Sequence, residues 1–406
     1  MTDADGDGRP RLLPSQMGPN RWFILTVLFL ARTAMGLQFQ SVGSVGPILV
    51  DGLGIEYAGV GLLIGLYLFP GVFIALPGGM LGERFSAKAV ASVGLVLMIA
   101  GGLVMGLSAW FPALVLGRLV SGVGAVLMNV MLTKMVADWF AGREMATAMA
   151  VLVTSWPLGI ALGLLGFVPV AAAFGWPAVM IVAALVCALS LAAILVFYRE
   201  PATHVPAAGL SLNLTKREWV LVSIAGIVWG TYNVGYILLV SFLPGHLAES
   251  GYALARANAL VSWIGWGLIV MVPIGGLIAD RLRWPDAVMA TGFVVAGVAA
   301  VVLAADLTLL LPAFALVALT IGLPAGPVMT LPAAAVAPQN RATGMGIYFT
   351  WYYALMAGIP PLAGFARDVT HNGAVPVLFA AGMLAAALAV QALFLIVSRR
   401  WAASAL

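Results

Sequence analysis

Long apolar stretches alternate with short polar connectors along almost the whole chain. Most match or exceed the roughly 20 residues a helix needs to cross a hydrocarbon layer. The pattern predicts twelve spans, at 22–50, 57–81, 88–108, 110–137, 145–168, 176–197, 219–243, 255–280, 286–305, 308–336, 342–366 and 374–398. Several are longer than the minimum, which predicts tilted or protruding helices. Helices are the expected element because lipid offers no partner to an open sheet edge, and the short alternating strands of a barrel are absent. The longest connector, 198–218, is polar, basic and Pro-containing, and it divides the chain near its middle. The expected organisation is a tail (1–21), a six-helix half (22–197), a central loop (198–218), a second six-helix half (219–398) and a short tail (399–406).

Composition narrows the class. The 406 residues are 63% hydrophobic and only 8% charged, against roughly 25% charged in a soluble domain. The net charge of +4 is explained by topology rather than by nucleic acid. With the N-terminus inside, one side collects Arg9, Arg11, Arg21, Arg84, Lys88, Arg143, Arg199, Lys216, Arg217, Arg281, Arg283, Arg341, Arg399 and Arg400, and the other holds only Arg256 and Arg367. Positive loops stay cytoplasmic, so both termini and the central loop are expected there, in a multi-pass inner-membrane protein. Cys187 is the one cysteine, so no intrachain disulfide forms. His204, His246 and His371 fall in predicted loops, far apart, and suggest no metal site. Asp3 to Gly8 imitate the start of a calcium loop, but Pro14 stands where the loop needs Glu, so a solvated tail is expected. The acidic start, and a first apolar segment too long and without a cleavage site, also exclude a signal peptide.

An internal repeat follows. Gly78-Gly79-Met80-Leu81-Gly82-Glu83-Arg84, between the second and third spans, is echoed by Gly275-Gly276-Leu277-Ile278-Ala279-Asp280-Arg281 between the eighth and ninth. Ala146-Thr147-Ala148-Met149-Ala150 is echoed by Ala342-Thr343-Gly344-Met345-Gly346 at nearly the same offset. Two six-span halves in one orientation form a parallel repeat, a known transporter architecture. With Arg118-Leu119-Val120-Ser121-Gly122-Val123-Gly124 in the fourth span, the chain resembles the major facilitator superfamily over nearly its whole length. It departs from the loop signature at Glu83, where the family usually has Asp, and at Ser86, where it often has Gly. The resemblance implies a monomeric transporter without cofactors, and an inner gate formed by Glu83, Arg84, Asp280 and Arg281, joined by Asp138 beside Lys134.

Two charges lie at depth. Arg32 is about ten residues into the first span and Arg118 about eight into the fourth, while all fifteen acids lie in tails, loops or span ends. Intramembrane charges are costly and by default functional. A cavity holding unneutralised guanidinium groups favours an anion, and the planar fork of Arg suits carboxylates and oxyanions. Helical spacing puts Arg118, Gly122, Ala125 and Asn129 on one face, and Trp229, Tyr232, Asn233 and Tyr236 on another. Tyr348, Trp351 and Tyr352 form a third, with Gln40 and Ser155 as further polar candidates. Arg118 also has a structural reading, as a side chain bonded to carbonyls of the first or fifth span.

Arginines in both the first and fourth spans resemble the anion:cation symporter branch, yet Ala125 stands where that branch carries an acid, so its proton coupling does not transfer. Asp138-Trp139-Phe140 with Arg143 resembles the cyanate, nitrate and oxalate porters. The expected function is secondary transport of a small organic or inorganic anion by alternating access, through exchange with a counter-anion or linked to a proton. The alternative is efflux of amphipathic compounds, suited to 18 Met and 12 Trp but lacking the intramembrane acid that cation efflux uses. A membrane enzyme would need paired catalytic groups, and no predicted span contains a histidine.

Overall fold

The computed structural model describes residues 20–75, 85–141, 144–201, 214–305 and 307–403. Among them there is no strand. Among the described residues, eleven helices are long and apolar enough to cross a membrane. In chain order these are α1 (Arg21–Gly43), α2 (Tyr57–Ala75), α3 (Ala87–Leu107), α4 (Phe111–Trp139), α5 (Met145–Phe174) and α6 (Trp176–Phe197). The second half gives α7 (Lys216–Glu249), α8 (Leu254–Leu282), α9 (Pro285–Ala305), α10 (Leu307–Ala335) and α12 (Val375–Ala403). Between the last two, α11 (Arg341–Thr370) has 30 residues and packs as a full member of the bundle. It is the most polar helix of its half, carrying Arg341, Arg367 and Asp368 at its ends.

Local chemistry starts and stops these helices. Asn20 and Ser86 accept bonds from Trp22 N and Ala89 N at the starts of α1 and α3, the usual repair of orphan N–H groups. Thr215 and Glu218 form a capping box at α7, and Glu218 also accepts from Ala337 N at 2.8 Å, tying α7 to the turn before α11. Proline occupies the first turn of α4 and α6, where no N–H is needed.

The packing is the same twice over. In the first half α3 packs on α4 and α6, and α1 packs on α5 and α6; in the second, α9 packs on α10 and α12, and α7 on α11 and α12. The halves meet mainly through α2 against α11 and α8 against α5, two contacts that the repeat exchanges. Leucines and valines such as Val93, Leu107, Leu189, Val298 and Leu311 lie exposed on the outside of the bundle, as expected of surfaces facing lipid tails. Arg21 pairs with Glu144 at 2.7 Å, and Lys88 Nζ donates to Tyr198 O at 2.8 Å. Their end of the bundle, which Arg400 shares, is called the basic side below, and the opposite end the far side.

Two expectations are corrected in detail. The first span is not continuous to 50: α1 ends at Gly43 and a short helix, Gly46–Leu53, follows a turn. His246 is no loop residue but lies in the last turn of α7, which runs six residues past the expected end. The tenth span is present but broken into Leu310–Thr320, Ala325–Val328 and Leu331–Ala335, where Pro324, Pro327 and Pro332 remove backbone donors.

Candidate functional site

Arg32 lies eleven residues into α1, about 16 Å along its axis at 1.5 Å per residue. Nε donates to Asn129 Oδ1 of α4 at 3.0 Å, and Nη1 donates to the Leu152 carbonyl of α5 at 2.9 Å. Among the described residues Nη2 donates to no protein group, and no carboxylate pairs with this guanidinium. Ser155 is buried and donates to the same Leu152 carbonyl. A void of about 10 Å³, room for roughly one water, lies beside Asn129, lined by Met35, Tyr67, Ala125, Trp156 and Tyr353. The rings of Tyr352 and Tyr353 neighbour Arg32, and Tyr353 lines the same void as Asn129.

The opposite wall is aromatic. Trp229 of α7 lies 6.1 Å from Tyr352, 6.3 Å from Tyr348 and 5.6 Å from Tyr232, measured between ring centroids. Tyr352 and Tyr353 meet edge to face at 4.9 Å. Trp229 Nε1 and Tyr236 Oη are buried without a bonding partner. The structure therefore gathers Arg32, Asn129, Ser155, Trp229 and Tyr352 of the expected set around one locus between the halves.

Other members of that set are occupied elsewhere. Arg118 is fully buried, and all three of its nitrogens donate to backbone carbonyls: Nε to Leu63, Nη1 to Gln38 and Nη2 to Phe39, at 2.8, 3.0 and 2.5 Å. Its guanidinium also lies over the Tyr67 ring at 4.4 Å. This is the structural alternative, with carbonyls of α1 and α2 rather than of α5. Tyr232 Oη donates to the Ile321 carbonyl at 2.6 Å, at the break in α10, so it repairs an interrupted helix. Asn233 Nδ2 bonds back to Trp229 O of its own helix. Trp351 is 40% exposed and its Cβ packs over Gly226, away from Arg32. Gln40 lies two turns from Arg32 toward the far side and donates to Val240 O across the halves at 2.9 Å.

Among the gating candidates, Glu83 and Arg84 lie outside the described residues. Asp138 is buried at the basic end of α4 and pairs with Lys134 at 2.8 Å. Asp280 and Arg281 lie at the basic end of α8, Asp280 and Arg281 both exposed. Among the described residues, polar contacts across the halves lie on the far side. Asp368 of α11 accepts from Tyr57 N at 2.9 Å and from Ala58 N at 2.7 Å, capping α2 from the other half. Arg367 lies over the Tyr57 ring and pairs with Glu249. Asn258 Nδ2 donates to Ser44 O at 3.2 Å.

Tyr353 and Asp368 were absent from the expected set. The stripe Tyr348–Tyr352 is a single helical face, but α11 looks toward both α7 and α2, and Tyr353 packs over Gly71 of α2. Asp368 acts on backbone N–H groups about 310 positions away, a partnership without a sequence signature.

The profile of the Major Facilitator Superfamily matches residues 28–361. The chain belongs to this superfamily. Its fold is that of other members: a bacterial homologue of the human lysosomal transporter Spinster, in an inward-facing and occupied conformation, superposes with a TM-score of 0.74 at 16% identity, over 94% of this chain and 98% of that one. A point mutant of the nucleoside transporter NupG gives 0.71 at 14% identity, over 93% and 100%. In sequence, this superfamily member is 24% identical to a 4-hydroxybenzoate transporter of Pseudomonas aeruginosa, over 81% of this chain and 82% of that one. It is 27% identical to the 3-(3-hydroxy-phenyl)propionate transporter of Escherichia coli, over 66% and 68%. It is thus a multi-pass membrane transporter and not an enzyme, and its relatives include carriers of anions and aromatic acids.

Proposed function

We propose that the protein is a secondary transporter of a small organic carboxylate, in particular one bearing an aromatic ring, working by alternating access of its two halves. The observation that carries this reading is Arg32. It is a mid-depth guanidinium with no acidic partner among the described residues, oriented by Asn129 and the Leu152 carbonyl, with Nη2 left for a ligand. A carboxylate supplies the missing charge, and Trp229, Tyr348 and Tyr352 supply flat apolar walls for a ring. Relatives named for 4-hydroxybenzoate and 3-(3-hydroxy-phenyl)propionate transport support the same substrate class.

The basic side faces the cytoplasm in this reading, because positive ends stay inside, and the protein resides in the inner membrane. The cross-half contacts at Asp368, Arg367, Gln40 and Asn258 then close the external side. Importing one negative charge against an interior-negative potential costs roughly 2.3 kcal/mol per 100 mV, so uptake is linked to exchange or to proton co-entry.

The test is uptake of radiolabelled benzoate and hydroxybenzoates into proteoliposomes, with and without trapped anion, for wild type, Arg32→Lys and Arg32→Ala. Loss of uptake in Arg32→Ala with intact insertion and monodispersity is expected, with partial retention in Arg32→Lys, which keeps charge but not the fork. Unchanged uptake in Arg32→Ala would refute the assignment. Stimulation by trapped anion indicates exchange; stimulation by an inward proton gradient indicates proton linkage.

A further inference from the structure

The aromatic wall opposite Arg32 is not uniformly apolar. Trp229 Nε1 is an N–H donor shut away from solvent with no acceptor in reach. Leaving such a donor unpaired is costly in a folded protein, and most buried indoles find a partner. Its own helix offers none: Asn233 takes the Trp229 carbonyl with Nδ2 and does not turn an oxygen to the indole. The neighbouring Tyr232 hydroxyl donates to Ile321 O, and its oxygen makes no bond to the indole. Tyr352 separates this indole from Arg32, in ring contact with Trp229 and in electrostatic reach of the guanidinium. The Arg32 guanidinium, the Tyr352 ring and the unpaired indole donor are therefore successive neighbours.

We propose that Trp229 is a specificity-determining residue, whose Nε1–H bonds an oxygen on the substrate ring remote from its carboxylate. This rests on the reading of Arg32 as the carboxylate site and adds the second end. The oxygen acts as acceptor, since an indole only donates. Ring-oxygenated aromatic acids are then favoured over plain ones, because a site built to bond an oxygen is left with an unpaired group when the oxygen is missing. Tyr236 Oη is also without a partner, two turns along the same helix. No ring contact joins it to Tyr352, so it serves as the control.

The experiment is competition for uptake in wild-type proteoliposomes by benzoate and its 3- and 4-hydroxy, 3- and 4-methoxy and 3- and 4-ethyl derivatives. Methoxy and ethyl groups have nearly the same shape, and only methoxy accepts a hydrogen bond. The expected result is a preference of roughly ten-fold or more for one hydroxy isomer over benzoate, and for the corresponding methoxy over ethyl compound. Trp229→Phe, which keeps a ring in the wall but no donor, brings both ratios close to one whatever its absolute rate of uptake, and Tyr236→Phe leaves them. Equal competition by methoxy and ethyl compounds in wild type overturns the proposal without needing any variant. So does retention of the preference in Trp229→Phe, which would mean that another group bonds the ring oxygen. Failure of every aromatic acid to move would overturn the underlying function as well, whereas benzoate transport dependent on Arg32 without a preference would overturn only the role of Trp229.

Discussion

Removing the Asp368 carboxylate is expected to open the far side. Two backbone donors, Tyr57 N and Ala58 N, end on its two oxygens at 2.9 and 2.7 Å. The residue at the formal start of α2, Glu56, makes no capping bond of its own, so the helix terminus depends on the opposite half. Bonds to a charged partner contribute roughly 1.5–3 kcal/mol each when buried, and a carboxylate at a helix N-terminus adds about 0.3–1 kcal/mol. Asp368 is only half-buried and water replaces part of what is lost, so the net bias is set at about 2 kcal/mol, the lower end of that range. A bias of that size changes the ratio of closed to open states by about 30-fold. Spin labels at Asp51→Cys and Ser250→Cys, in a Cys187→Ser background, straddle the far side from opposite halves, and electron–electron distance measurement reads the ratio directly. Asp368→Ala is expected to move the population to distances several Å longer, with Asp368→Asn intermediate because it keeps one acceptor. An Asp368→Ala distribution that overlays the parent's would show that α2 is held by its packing alone and that the latch reasoning is wrong.

Other outcomes follow from the same geometry. Arg118→Ala strips three buried donors from α1 and α2, and is expected to lower the melting temperature of purified protein by several degrees, corresponding to about 3 kcal/mol or more; wild-type stability in that variant would contradict a structural role. Tyr232→Phe frees the Ile321 carbonyl and should cost about 1–2 kcal/mol, with increased hydrogen exchange confined to the α10 break; protection unchanged there would exclude the repair. Gly61→Val places side-chain atoms against the Pro360 carbonyl and should abolish transport while leaving Arg32-dependent benzoate binding detectable by tryptophan fluorescence.

Much of the fold is legible in the sequence because hydropathy alone marks spans, and the parallel repeat needs only two matched loops. The break in α10 is not legible, because proline marks a helix that can bend without saying whether it breaks: Pro324 and Pro327 stand at an interruption, whereas α5 runs on through Pro157 and α11 through Pro360 and Pro361. Arg32 stands out for a simple reason: a cation in an apolar run with no acid at its depth has few explanations. Arg118 meets the same description and behaves differently, because its partners are carbonyls of Gln38, Phe39 and Leu63, and every residue has a carbonyl. Aromatic residues are harder to sort. Trp229 and Trp351 share a composition and a mid-span position, yet one is walled in by three tyrosines and the other is 40% exposed. Helix rotation decides between them, and rotation is fixed by neighbours rather than by local sequence.

The contact between α2 and α11 is made by main chain as much as by side chains. Gly61 faces the Pro360 carbonyl, Gly65 that of Ala357, and Gly364 that of Tyr57. Along this glycine track, short of Tyr353 over Gly71 at its inner end, there are no knobs to interlock, so one helix can tilt over the other as a journal turns in a plain bearing. No rotamers need to be released and no cavities opened along the way. What resists the turn is concentrated at the rim, in the few polar contacts around Asp368 and Arg367. Friction and latch are thereby separated in the chain: mutations in the glycine track should slow every turnover step alike, whereas mutations at the rim should change which way the machine rests.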